Sequence, residues 1–135
     1  FQAVVGSRVL DTVEGLVEAR IRNARLFDEG LKGIESCIRP PRRLDGYREV
    51  YQLYLATATR RDELVKFLNS GGVEAKIHYP IPIHLQNAAR DLGYNRGDFP
   101  VCERQAEEVV TLPAHQHITE EQIGYTVSII REFYG

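Results

Sequence analysis

The side chains best suited to chemistry concentrate in one segment, His78-Tyr79-Pro80-Ile81-Pro82-Ile83-His84-Leu85-Gln86, which we call the 78–86 loop. Its imidazole, phenol and amide groups can all hydrogen-bond a ligand. The two prolines favour extended backbone and exclude an α-helix, so the loop is stiff and loses little entropy on binding. Two interpretations remain open: a ligand-facing loop, or a stiff surface turn whose histidines are solvated.

Other candidate sites carry weaker signals. His115-Gln116-His117 places two imidazoles at alternate positions, but no third ligand stands at metal-binding spacing, which favours solvated loop residues. Cys37 and Cys102 lie 65 positions apart without a partner motif. Cys102 falls in the first turn of a predicted helix, where a thiolate would be stabilised, although a small buried residue is the favoured interpretation. The sequence contains no nucleophile elbow, P-loop or dinucleotide-binding fingerprint.

Composition narrows the class of protein. The 135 residues, 43% of them hydrophobic, are enough for one domain with a modest core. Seventeen basic residues oppose nineteen acidic ones, for a net charge of −2. This balance excludes a nucleic-acid binder that works by bulk phosphate neutralisation, and it gives no reason to expect a membrane partner. No apolar run is long enough to cross a bilayer. Two cysteines fit a reducing cytosol, so we expect a cytoplasmic protein.

Two absences matter as much as what is present. The sequence has no methionine and only three lysines, Lys32, Lys66 and Lys76. The missing initiator predicts that the chain begins inside a longer reading frame or has been processed. Any lysine-dependent chemistry must use one of the three lysines or lie outside the chain.

The elements that position the loop begin with a long helix over residues 1–30. Val5, Val9 and Phe27 belong to an apolar stripe with helical spacing, and Gly30 ends it. Such a helix would be about 40 Å long, more than a domain of this size needs to cover its core. Its apolar, uncapped start predicts that the helix packs on something outside the chain.

The next elements follow from alternation, capping boxes and turn residues. In chain order they are a loop and turn at residues 39–46, a central strand at Val50–Thr57, a helix opened by Thr59 and Asp62 and ended by Gly71-Gly72, and a half-buried strand at Val73–His78. Strict alternation in that last strand places His78 on the face opposite to Ile77.

The final third of the chain is predicted to be mostly helical. Its elements are a short helix at about His84–Leu92, a helix capped by Asp98 with Ala106, Val109 and Val110 packing inward, an edge strand at Thr111–Pro113, and a last helix opened by the capping box of Thr119 and Gln122 with Ile123, Val127 and Ile130 facing the core. The order predicts an α+β fold: a small, mostly antiparallel sheet with helices packed on one face, preceded by the long N-terminal helix.

These residues resemble a known family. The stretch from Tyr51 to Phe133 is similar to the C-terminal small domain of the DegT/DnrJ/StrS-type sugar aminotransferases. The matching pieces are Tyr51-Gln52-Leu53-Tyr54, Arg61-Asp62-Glu63-Leu64, Gly72-Val73-Glu74, Ile77 through Gln86, Leu92-Gly93-Tyr94, Gly97-Asp98-Phe99-Pro100, Leu112-Pro113 and Thr119-Glu120-Glu121-Gln122-Ile123. Gln2-Ala3-Val4 also resembles the start of the family's long helix between domains.

The resemblance implies an enzyme of the aspartate-aminotransferase fold that uses pyridoxal phosphate. It would move an amino group, usually from glutamate, to a keto sugar carried on a nucleotide. Residues 1–30 would form the interdomain helix and residues 31–135 the small domain. The cofactor lysine and the phosphate-binding residues would belong to a large domain before Phe1, so neither catalytic nor cofactor-binding residues are expected in this chain, and we expect no cofactor bound to it.

The resemblance also implies site residues. In relatives the His-Tyr pair at the start of this loop contacts the sugar, which falls on His78 and Tyr79; His84 and Gln86 are further motif residues assigned to substrate binding. The sequence departs from the usual pattern at Asn87 and Ala114, which bears on substrate detail. A homodimer is implied, with no nucleic-acid or membrane partner. The competing class is a non-catalytic α+β domain that binds a ligand or another protein.

Overall fold

The computed structural model describes residues 1–135 and contains four α-helices, one three-stranded sheet and two short 3₁₀ helices. The helices are α1 (Gln2–Gly30), α2 (Arg61–Ser70), α3 (Pro100–Glu108) and α4 (Glu120–Tyr134); the strands are β1 (Ile38–Arg39), β2 (Tyr54–Ala58) and β3 (Val109–Leu112); the 3₁₀ helices are Ile83–Leu85 and Asn87–Leu92. β2 lies between β1 and β3 and is antiparallel to both. The expected α+β class is confirmed. None of the helices combines the length and apolarity that crossing a bilayer requires.

The two faces of β2 have different neighbours. Tyr54, Ala56 and Ala58 are buried in one core with side chains of α1, α2 and α4. Leu55 and Thr57 alternate with them and are half-buried on the opposite side, near α3. The sheet therefore separates the main core from the region where the 78–86 loop lies.

Helix α1 has the predicted bounds but two different halves. Residues 1–15 are all exposed, whereas Ala24 and Phe27 are completely buried. At Gly30 a Cβ atom would lie 2.7 Å from Cγ2 of Val127, so the absence of a side chain lets α4 approach the end of α1. The exposed half carries apolar side chains at Phe1, Val4, Val5, Val9, Leu10 and Val13.

Strand β2 starts later than the sequence predicts, because the preceding residues bind α1 instead of a strand. The Arg20 guanidinium donates to the carbonyls of Tyr51 and Gln52, each at 3.0 Å. Arg43 donates to the Asp28 carboxylate at 3.0 Å. The same carboxylate accepts a hydrogen bond from the Tyr54 hydroxyl at 2.7 Å. Burial works against the charge on Arg43, but the hydrogen bond and charge of Asp28 outweigh it and raise the pKa of Arg43.

Two predicted helix caps are wrong. The residue before α2 is Arg60 in the left-handed conformation, with φ of 51°, and the Thr59 hydroxyl binds the Cys37 carbonyl at 3.3 Å rather than the helix. Before α3 the Asp98 carboxylate accepts the Asn95 N–H at 2.7 Å and does not cap the helix. In both cases a nearby loop supplies a competing partner for the short polar side chain. The capping box of Thr119 and Gln122 is confirmed.

Three predicted elements change form. Residues 73–77 keep the alternating burial, whereas His78 is half-buried like Ile77, and the segment pairs with β3 only through the single bridge between Lys76 and Thr111. The expected helix at His84–Leu92 is two 3₁₀ helices, because Gln86 between them is extended. Val109 and Val110 leave α3 and form β3. Cys102, expected to be buried, is exposed on α3.

Candidate functional site

A cavity of about 350 Å³ lies between β2, the 78–86 loop and α3. We call it the loop cavity, and its lining residues are Pro41, Leu55, Ala56, Thr57, His78, Tyr79, Ile81, Pro82, Ile83, Gln86, Cys102, Gln105, Ala106 and Val109. The lining includes no lysine, arginine, aspartate or glutamate. Its polar side chains are hydrogen-bonding imidazole, phenol, hydroxyl, thiol and amide groups, which suit a ring with hydroxyl groups.

His78 stands at the edge of this cavity with one ring nitrogen already occupied. Its Nδ1 lies 2.8 Å from the hydroxyl of Thr111, a buried residue of β3. The bond fixes the ring orientation, and Nε2 makes no hydrogen bond within the chain. The imidazole is therefore held ready to exchange one hydrogen bond with a ligand.

Tyr79 and Gln86 complete the polar rim. Tyr79 is 72% exposed, its ring meets the His78 ring edge-on at 5.4 Å, and its hydroxyl has no partner within the chain. The Gln86 side chain donates from Nε2 to the Ile81 carbonyl at 3.2 Å, which ties the loop's end to its middle. The structure thus brings three of the four predicted site residues to one cavity.

The fourth, His84, faces away from the loop cavity. It is buried, its Nε2 lies 2.9 Å from Oε1 of Glu103, and its ring packs on Phe99 at 4.8 Å. Its assignment to substrate binding stays a prediction.

Glu103 is the residue that the sequence analysis missed. Both of its carboxylate oxygens accept the Gly97 N–H, at 2.8 and 3.0 Å, and Oε1 also accepts the Phe99 N–H at 3.3 Å. A signal was present: a glutamate in the first turn of a helix commonly reaches back to the N–H groups that precede the helix.

The electrostatics of Glu103 favour its charged form. Burial alone would raise the pKa of Glu103, but the hydrogen bonds from Gly97, His84 and Phe99 together lower it below its ordinary value. The stability that this carboxylate contributes is therefore complete above the ordinary pKa of about 4.5 and is lost as the pH falls through the lowered value.

The fold matches part of an aminotransferase fold. The chain belongs to the DegT/DnrJ/EryC1/StrS aminotransferase family, whose model matches residues 1–131. The family resemblance of the sequence is thus confirmed.

Individual relatives match this chain over nearly its whole length. A pleiotropic regulatory protein of Geobacillus stearothermophilus is 34% identical over 98% of this chain and 36% of its own length. A dTDP-3-amino-3,4,6-trideoxy-alpha-D-glucose transaminase of Micromonospora megalomicea subsp. nigra is 29% identical over 97% of this chain and 36% of its own. The crystal structure of DesV from S. venezuelae superposes with a TM-score of 0.92 at 29% identity, over 98% of this chain and 35% of that one. The chain thus spans about a third of the length of its relatives.

The residues present do not fit pyridoxal phosphate. All three lysines are exposed, Lys32 pairs with Glu29 and Lys76 with Glu74, each at 2.6 Å, and none lines the loop cavity. The cavity also offers no lysine or arginine for the cofactor's phosphate. Chemistry on that cofactor would have to use residues outside this chain.

Proposed function

We propose that this chain is the substrate-facing small domain of a pyridoxal-phosphate-dependent aminotransferase that transfers an amino group from glutamate to a nucleotide-linked keto sugar. The observation that carries the proposal is the rim of the loop cavity, where the rings of His78 and Tyr79 meet edge-on at 5.4 Å and each keeps one polar group without a partner in the chain. Family membership and a relative named as a dTDP-amino-sugar transaminase support it. We propose that the protein acts in the cytoplasm.

In this proposal the chain binds and orients the sugar. His78 and Tyr79 hydrogen-bond sugar hydroxyls, the apolar wall of Leu55, Ile81 and Val109 excludes water, and Gln86 holds the loop closed. None of these side chains needs to move a proton for the amino donor. Residues 1–30 would link this domain to the large domain that supplies the cofactor site.

Tyr79→Phe and His78→Asn in the full-length enzyme should each cost about 1–3 kcal/mol in kcat/KM for the sugar. Asparagine can keep the bond to Thr111 while losing the second ring nitrogen. Amino exchange between glutamate and 2-oxoglutarate, which needs no sugar, should stay unchanged. Steady-state kinetics and isotope exchange measure the two activities separately.

Two matched controls accompany these variants. Tyr94→Phe and His117→Ala change exposed side chains outside the loop cavity and should leave both activities unaltered. Equal losses in sugar transfer and donor exchange would mean that the 78–86 loop is structural. No loss in either would mean that His78 and Tyr79 do not contact the substrate.

Cofactor binding by the 135-residue chain alone is expected to be absent. After incubation with pyridoxal phosphate and reduction with borohydride, peptide mapping should find only scattered, substoichiometric adducts on the exposed lysines. One stoichiometric adduct on Lys32, Lys66 or Lys76 would contradict the placement of the cofactor site outside this chain.

The parent enzyme is proposed to be a homodimer, and the isolated chain is expected to self-associate through the exposed half of α1. Exposed apolar patches of this kind tend to be buried by association. Val9→Glu should shift the chain toward monomer in light scattering, whereas Ser7→Glu, which adds the same charge on the other side of the helix, should not. A wild-type chain that stays monomeric over a wide concentration range would refute this.

A non-catalytic ligand-binding or protein-interaction domain is the second candidate. One observation favours it: the relative at 34% identity bears the name pleiotropic regulatory protein. This candidate predicts that the sugar binds without any transfer of an amino group.

A further inference from the structure

We infer that Glu103 is a positioning residue of the 78–86 loop, which it holds in place through the imidazole of His84. The inference deepens the proposed function and rests on it, because it takes the loop to be the sugar-binding element. Glu103 itself touches neither the loop cavity nor any residue of its polar rim.

The carboxylate of Glu103 joins three segments that are separate in sequence. It hydrogen-bonds Nε2 of His84 in the loop, and it accepts hydrogen bonds from the Gly97 N–H in the turn after the second 3₁₀ helix and from the Phe99 N–H at the start of α3. Glu103 and His84 are 8% and 9% exposed, so water competes little for these bonds. The contact is thus a buried junction between α3 and the loop.

The donors fix the proton arrangement of this junction. Two of the partners are backbone N–H groups, which can only donate, so both carboxylate oxygens act as acceptors here, and these bonds favour the ionised form. An ionised carboxylate can only accept, so the proton between Glu103 and His84 must sit on Nε2 of the imidazole. Glutamine at position 103 would place an amide N–H₂ where one of these acceptors stands.

A single tight turn connects the contact between Glu103 and His84 to the wall of the loop cavity. Within the 3₁₀ helix around His84, the Leu85 N–H donates to the Pro82 carbonyl at 2.9 Å and the Gln86 N–H to the Ile83 carbonyl at 3.1 Å. Pro82, Ile83 and Gln86 line the cavity on the other side of this turn. Fixing the imidazole on the buried side therefore fixes the cavity wall.

The loop consequently has an anchor at each end. The Thr111 hydroxyl holds His78 at the beginning, and the Glu103 carboxylate holds His84 near the end. Tyr79 lies between the anchors and has no hydrogen bond of its own within the chain. Its position relative to a bound sugar depends on both.

The chain offers a matched control on the same helix. Glu107, one turn further along α3, pairs with Arg96 at 3.2 Å and so also ties the turn after the 3₁₀ helices to α3. It does not contact His84 or the loop. Glu107→Gln thus tests the effect of loosening that turn without removing the loop's anchor.

The experiment compares Glu103→Gln, His84→Asn, their double variant and Glu107→Gln in the full-length enzyme. Amide hydrogen exchange in peptides covering residues 80–92 reports the loop itself, and sugar kinetics are set against sugar-independent donor exchange. Glu103→Gln should speed loop exchange and raise KM for the sugar about tenfold, with donor exchange unchanged. The double variant should be no worse than Glu103→Gln alone, because that change already disturbs the one bond that His84→Asn removes. Glu107→Gln should alter neither readout.

Each contrary result has its own meaning. If loop exchange and sugar KM stay at wild-type values in Glu103→Gln, or if the loop loosens while sugar kinetics stay the same, the positioning role is wrong. If both activities fall together, Glu103 serves the general fold and the inference fails. If the wild-type enzyme transfers no amino group to any sugar, the proposed function fails first, and the exchange data show separately whether Glu103 holds the loop.

Discussion

Replacing Phe27 with alanine should lower the free energy of unfolding by about 3–5 kcal/mol. The Phe27 side chain is completely buried, and its ring packs on that of Tyr54 at 5.0 Å. Alanine leaves a cavity where α1, α4 and the sheet meet, because the surrounding backbone of two helices and a strand can close only part of the gap. Urea denaturation of the 135-residue chain measures the loss.

Phe1→Ala is the matched control for this change, since Phe1 is 103% exposed and makes no core contact. It should alter the free energy of unfolding by less than about 0.5 kcal/mol. A Phe27 variant as stable as the Phe1 variant would mean that α1 does not pack on the sheet as described.

Arg61→Met should cost about 2–4 kcal/mol of stability although methionine fills a similar volume. Arg61 is 7% exposed, and its Nη1 donates to the Ala106 carbonyl at 3.0 Å and to the Val109 carbonyl at 2.7 Å. These carbonyls lie at the junction of α3 and β3. Without the guanidinium both carbonyls lose this charged donor, so the junction that sets the position of α3 loosens.

Arg60→Met is the comparison, because Arg60 is the neighbouring residue but is exposed and pairs with the exposed Glu63. Surface pairs of this kind contribute at most about 1 kcal/mol. If both variants lose the same stability in thermal or urea unfolding, the buried position of Arg61 has no special importance.

The features that the sequence predicts well are those set by local periodicity. The apolar stripe of α1 gives its bounds, and the reciprocal bonds of Thr119 with Gln122 give the start of α4, because the partners lie within one or two turns of each other. The 78–86 loop is recognisable for the same reason, since its prolines and polar residues are adjacent.

What the sequence does not reveal depends on partners distant in the chain. Arg20 removes Tyr51 from the sheet across 31 positions, and Glu103 turns His84 away from the cavity across 19. The spacing of residues within the loop gives no indication of either contact. Hence three of the four predicted site residues meet at one cavity, while the role of the fourth depends on a glutamate that only the three-dimensional arrangement places beside it.

The most direct test of the proposed function follows nitrogen from donor to acceptor. Full-length protein would be incubated with pyridoxal phosphate, glutamate labelled with heavy nitrogen, and a panel of dTDP- and UDP-linked keto sugars, and the products would be analysed by mass spectrometry. We expect one labelled amino group on one of these sugars and an equal amount of 2-oxoglutarate, with the yield reduced in Tyr79→Phe. If sugars of the panel bind but none acquires labelled nitrogen, the proposed aminotransferase function is contradicted. That result would favour a non-catalytic ligand-binding protein.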